Sequence, residues 1–127
     1  MIDAFRSIAT GTTLHIRSDD TFKRDYVYIG DIVDAYILIA EKTASKKLAG
    51  QAFNIGNNKP LKVIDVLTHI KRIEPRLRYK ILNTAKNEIK DQYLNSHKAA
   101  KLLRWNPKTT FQEGLARTTS WYSDFLT

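Results

Sequence analysis

An α/β arrangement of the α+β kind is predicted by three features of this sequence. Short runs are rich in strand formers, longer stretches carry apolar residues at helical spacing, and the two alternate along the whole chain. With 127 residues and 43% apolar content, the chain suits one domain over 1–127 with a real core and argues against disorder.

Ile2, Phe5, Ile8 and Ala9 recur at helical spacing, and Gly11 follows as a stop. Thr13 to Arg17 predicts a strand, and Ser18-Asp19-Asp20 a turn. Tyr26 to Ile29 is rich in strand formers, and Asp31 stands where an N-cap belongs, ahead of a helix to about Lys42. That helix is apolar nearly all round, through Ile32, Val33, Ala35, Tyr36, Ile37, Leu38, Ile39 and Ala40, so it should be covered on several sides.

Gln51 to Ile55 predicts a strand, closed by turn residues from Gly56 to Pro60. Val63, Leu67 and Ile70 mark a helix with Pro75 beyond its end, and Arg78 to Leu82 another strand. Asn95 or Ser96 caps a short helix containing Ala99, Leu102 and Leu103. In the last helix Thr110 and Glu113 have the spacing of a capping box, and Phe111, Leu115, Thr118, Tyr122 and Phe125 share one face, a core stripe.

Several chemistries are excluded. There is no cysteine, hence no disulfide and no thiolate metal site. His15, His69 and His97 are far apart without carboxylates at ligand spacing, so no metal site is expected. The glycines at 11, 30, 50, 56 and 114 never form the closely spaced group that lets backbone approach a pyrophosphate. No tyrosine has a lysine four residues later; the nearest miss is Tyr93 with Lys98. Catalytic and cofactor-binding residues are therefore expected to be none. No signal peptide opens the chain, and its longest apolar run, Ala35 to Ala40, is too short to span a bilayer, which predicts a cytoplasmic protein without a membrane partner.

A net charge of +8 attracts anions. The denser basic stretch, Lys71 to Lys80, contains a single aromatic, Tyr79, and no nucleic-acid motif, so weak salt-sensitive attraction is expected rather than specific nucleic-acid binding.

The segment RDYVYIGDIVDAYILIAEK, Arg24 to Lys42, resembles the signature opening the substrate-binding part of extended short-chain dehydrogenases, the NAD-dependent epimerase/dehydratase family acting on nucleotide sugars. IRSDDT at Ile16 to Thr21 resembles the approach to that arginine, and GQAFNIGNNKPLKVIDVLTHI the strand, turn and helix that follow. EIKDQYLNSHKAAKLLRWNPKTTFQEGLARTTSWY, Glu88 to Tyr122, is similar to the closing stretch, most of all to that of CDP-glucose 4,6-dehydratases.

The resemblance implies a C-terminal substrate-binding region without its Rossmann domain, whose NAD site and Tyr-Lys pair lie outside the chain. It implies further that the apolar helix and the strand at Phe53 to Ile55 pack on or join the Rossmann sheet. The expected function is CDP-hexose binding in a dehydratase (a lyase) or epimerase, truncated or split and inactive alone. Expected partners are a nucleoside-diphosphate sugar and a separate Rossmann-domain chain. The rival expectation is a non-catalytic remnant that covers its apolar helix by self-association.

Arg24 matches the diphosphate-binding arginine, a task that suits a permanently charged planar donor fork. Without the resemblance it is a surface arginine paired with Asp31 or Asp34. Asp25 and Tyr26 frame the strand. Glu88 falls near the position whose carboxylate accepts the ribose hydroxyls. The second phosphate-binding arginine of relatives is replaced by Ala85, with Lys86 beside it as a point charge; Lys86 and Glu88 are equally readable as solvated loop residues. Trp105 and Trp121 are expected to pack rather than stack on a base. Arg104 and Asp20 stand where relatives have glycine; at Arg104 a left-handed backbone costs about 1 kcal/mol.

Overall fold

The computed structural model describes residues 1–19, 21–44 and 48–126. Helix α1 (Ile2–Thr10) ends on Gly11 at φ 65°, whose N–H and that of Thr12 return to the carbonyls of Ile8 and Ser7. Strand β1 (Thr13–Ile16) pairs in parallel with β4 (Arg78–Ile81), Thr13 opposite Arg78 and Ile16 opposite Ile81. A second sheet is built on β2 (Lys23–Arg24), flanked by β3 (Leu61–Lys62) antiparallel and β5 (Asp91–Gln92) parallel. Helices α2 (Ile29–Thr43), α3 (Val63–Ile73), α4 (His97–Leu103) and α5 (Phe111–Phe125) complete the mixed α/β architecture.

The core falls into two clusters. Phe5, Val66, Leu67, Ile70, Leu77 and Leu115 join α1, α3 and α5, with Leu14, Ile16 and Tyr79 of the β1–β4 pair packed against them. Phe5 stacks on Tyr122 at 4.9 Å between ring centroids. The second cluster joins α2 to α4 through Ala35, Ala99, Leu103 and Trp105, with Phe53 and Ile55 against it. Lys42, in the last turn of α2, donates to the Leu103 carbonyl at 2.7 Å, satisfying one of the free acceptors at the end of α4.

Several expectations are corrected. Tyr26 to Ile29 is not a strand: pairing stops at Arg24, and Tyr26 instead turns its ring edge-on to Phe111 while its carbonyl accepts from Asn57 Nδ2. The N-cap of α2 is Tyr28, without a side-chain cap. Asp31 sits in the first turn, 4% exposed, where its carboxylate accepts the N–H and hydroxyl of Thr109 at 3.0 and 3.2 Å. Gln51 to Ile55 lies outside any ladder, since no described strand runs beside it.

The capping box of α5 is half formed. Thr110 Oγ1 accepts the Glu113 N–H, but the Glu113 carboxylate turns to Arg117 at 2.6 Å. Ser96 is the N-cap of α4 without capping it; the Asn95 side chain accepts the His97 N–H, and the buried Ser96 hydroxyl donates to the Gly56 carbonyl. Phe125 is exposed and leaves the core stripe that Leu115 and Tyr122 keep. The Asp20 part of the predicted turn lies outside the described residues; Asp19 accepts the N–H and hydroxyl of Thr21, and the hydroxyl bond holds its carboxyl below the usual range.

Helix α2 buries only Asp31 and Ala35 fully, while Val33, Tyr36 (70% exposed) and Ile37 face outward. No described helix is long and apolar enough to cross a membrane. Arg104 holds the left-handed conformation expected of its position, φ 57°. Trp105 is buried and donates from Nε1 to the Asp31 carbonyl at 3.1 Å, a packing role as expected.

Candidate functional site

The junction of β2 with the 82–90 loop carries Arg24, Lys86 and Glu88, the three candidate ligand-binding residues of the sequence. That loop is tied at its start to the end of β1: the Leu82 N–H donates to the Ile16 carbonyl, and those of Thr84 and Ala85 to the Arg17 carbonyl. At its far end the Lys23 N–H donates to the Lys90 carbonyl at 2.8 Å. Between these ties Asn83 and Asn87 take φ of 49° and 64°, the left-handed region that asparagine enters more readily than most residues, and so bend the segment.

Arg24 is half-buried at the end of β2. One guanidinium nitrogen donates to the carbonyls of Lys23 (2.8 Å) and Lys90 (3.1 Å), and the group lies 5.6 Å over the Phe22 ring. No carboxylate among the described residues pairs with it. Asp31 is engaged by Thr109 and Asp34 by Lys108, so the surface-pair reading of Arg24 is not what the fold shows.

Asp25 frames the same junction: its carboxylate accepts the Asn57 N–H at 3.1 Å and the Leu94 N–H at 3.3 Å, pinning three segments together. Gly56 is required there, because an added Cβ would overlap Asp25 Oδ2 and lie 3.0 Å from Leu94 Cβ. Tyr26 is half-buried, and burial pushes its phenol above the usual tyrosine range, opposed by the positive field of Arg24.

Lys86 and Glu88 are exposed on the loop. The Glu88 carboxylate stands 3.5 Å from the guanidinium of Arg17, a residue the sequence reading passed over. Its position just before a turn gave no signal; only the fold sets it beside residues 84 to 88.

Arg24, Lys86 and Glu88 thus share one junction, with Arg24 bonded to the end of the loop that carries the other two, but they make no wall of either described groove. The larger groove, about 540 Å³, lies next door, between Tyr26, Tyr28 and the Phe111–Tyr122 side of α5. Its lining is aromatic, and Trp121 at its rim stacks on Phe125 at 4.7 Å rather than entering the core. Among the described residues no group of His, Asp or Glu could hold a metal ion; His69 packs edge-on against Phe111.

Known proteins place this architecture. The sequence family described as GDP-mannose 4,6 dehydratase matches residues 1–118. A UDP-glucuronate 4-epimerase of Thermodesulfobacterium geofontis is 32% identical over 110 residues, which are 85% of this chain and 32% of that protein. The UDP-glucose 4-epimerase of Thermotoga maritima, solved with UDP-glucose, superposes with a TM-score of 0.82 at 29% identity over 98% of this chain and 39% of its own. A UDP-glucuronic acid 4-epimerase from Bacillus cereus, solved with UDP-glucuronic acid and NAD, gives a TM-score of 0.85 at 22% identity over 96% and 38%. The chain spans about a third of the length of the curated relatives it matches. By sequence over nearly its whole length and by fold, the chain belongs to the GDP-mannose 4,6-dehydratase family of NAD-dependent nucleotide-sugar epimerases and dehydratases.

Proposed function

We propose that this chain is the nucleotide-sugar-binding part of a cytoplasmic NAD-dependent 4,6-dehydratase or epimerase, with Arg24 gripping the diphosphate. The supporting observation is the guanidinium of Arg24, held by two carbonyls at a strand–loop junction and paired with no described carboxylate. Two neutral acceptors orient the planar fork without neutralising it, which leaves its charge for a phosphate. Glu88 is assigned to the ribose hydroxyls and Lys86 to the outer phosphate. Holding the diphosphate fixes the attached hexose in place, so binding energy at a remote group is spent on orienting the reacting ring.

The residues here do not fit a dinucleotide. The glycines are scattered, and added Cβ atoms at Gly30 and Gly114 would meet the Tyr28 ring. In the complete enzyme NAD is held by a Rossmann part, on this chain's own continuation or on a separate chain, and the outward face of α2 at Val33, Tyr36 and Ile37 is where it would rest. A second copy of the chain is the other occupant that face admits, and light scattering separates the two readings.

The closing stretch favours a CDP-hexose, while the relatives named above carry UDP-sugar names. The test is an NMR titration with CDP-glucose and UDP-glucose. We expect shifts confined to residues 17–24 and 84–92, and about a tenfold or larger loss of affinity in Arg24→Ala. Absence of binding by either sugar nucleotide, or equal binding by wild type and Arg24→Ala, would overturn the proposal. Catalysis is tested by co-expression with a Rossmann partner and assay for dehydration.

A further inference from the structure

The groove between Tyr28 and α5 is rimmed by apolar side chains that the fold leaves uncovered. Trp121 and Phe125, one helical turn apart on α5, stack at 4.7 Å between ring centroids and are 55% and 66% exposed. Ile2, at the start of α1, and Ile29, at the start of α2, line the same groove and are 56% and 66% exposed. The four-residue spacing puts both rings on one side of α5, where they form a ridge along the rim of a hollow of about 540 Å³. Pockets of about 300–1,000 Å³ house drug-sized molecules, so an indole and a phenyl ring fit within this one. The chain carries +8 overall, yet the one charged side chain in the groove lining is Arg117, which Glu113 neutralises at 2.6 Å. Repulsion between copies is therefore carried by other faces.

We propose that this groove is the interface of a two-fold homodimer, in which the Trp121–Phe125 ridge of each copy enters the groove of the other. A ridge beside a groove on one patch can meet its own image, which is what a two-fold contact requires, and such a contact closes on itself. From the exposures of Met1, Ile2, Ile29, Trp121 and Phe125, each copy offers roughly 600 Å² of apolar surface. The pair would bury about 1,200 Å², the lower bound of a specific, stable interface. The α2 face at Val33, Tyr36 and Ile37 takes no part and stays open to a Rossmann part. The dimer therefore stands or falls independently of the Arg24 reading.

The experiment is light scattering on the full chain from about 1 to 200 μM, with tryptophan emission followed over the same dilution; an interface of this size corresponds to a Kd of about 10 μM. Trp105 is 5% exposed, so Trp121 is the indole whose surroundings change. We expect a dimer at the high end, with emission shifting to the red as it dissociates. Trp121→Glu and Phe125→Glu should each be monomeric throughout, with far-UV circular dichroism unchanged, while Tyr36→Glu still dimerises. Two variants at exposed positions guard against one that fails to fold. A wild type that stays monomeric at 200 μM overturns the proposal. A dimer lost in Tyr36→Glu but kept in Trp121→Glu and Phe125→Glu moves the contact to α2 and also overturns it. Ever-larger species would show a contact that does not close, and the two-fold dimer would again be wrong. A monomer whose Trp121 emission shifts only on adding a Rossmann-domain chain would give the groove to that partner instead.

Discussion

Replacing Asp31 by alanine should cost about 3 kcal/mol of stability, and the sum can be worked from two bonds. The carboxylate is 4% exposed and accepts the Thr109 N–H at 3.0 Å and the Thr109 hydroxyl at 3.2 Å. Hydrogen bonds to a charged acceptor contribute about 1.5–3 kcal/mol each, and the low end suits a partner that water can partly reach. Both bonds hold the segment that enters α5, one residue before its N-cap at Thr110. Asp31 also lies in the first turn of α2, where negative charge is favoured by about 0.3–1 kcal/mol. For a chain of this length the loss corresponds to roughly 12 °C in Tm. Asp31→Asn keeps one acceptor and should lose about half as much. Urea unfolding followed by far-UV circular dichroism gives the values, and a cycle with Thr109→Val should show about 1 kcal/mol of coupling. A change below about 0.5 kcal/mol in Asp31→Ala would refute the reasoning, showing that water satisfies Thr109 without the carboxylate.

Two further outcomes follow from the same fold. Gly56→Ala places a methyl group onto Asp25 Oδ2 and against Leu94, and should cost about 2 kcal/mol in the same urea assay; an unchanged midpoint would mean that the clasp is loose. Tyr26 has its phenol raised in the folded chain by burial, so its share of stability is complete below the ordinary tyrosine range and drains away as pH climbs through the raised value. Tyr26→Phe should therefore lose less stability than wild type as pH rises above about 10, and parallel curves would refute this.

The helices were legible because each carries its own signal. Gly11 ends α1, and the spacing of Val63, Leu67 and Ile70 fixes the buried face of α3. The short strands were not, since β3 and β5 are two-residue pairings set by the path of β2, and no local pattern distinguishes Leu61–Lys62 or Asp91–Gln92 from loop. Tyr26 to Ile29 misled for the opposite reason: its strand formers pack against α5 instead of pairing. Asp31 has the chemistry of a cap, but the helix starts two residues earlier, and the buried carboxylate serves Thr109 instead. At the site, Arg24 and Glu88 stand out only through family likeness. Arg17 is invisible in one dimension because what singles it out is a backbone tie to residues 84 and 85.

That tie has a consequence for how the molecule comes into being. The parallel register of Thr13 with Arg78 joins opposite halves of the polypeptide, an ordering that must overcome the entropy of closing everything between. Leu82, Thr84 and Ala85 dock on Ile16 and Arg17 only once this register is correct. The arginine-lined junction can mature only after that pairing forms, and a ligand that bound there, as proposed for a nucleotide sugar, would draw the whole ensemble toward the finished state by mass action. Order at this junction would report completion of a long-range parallel pairing, not the state of any single helix.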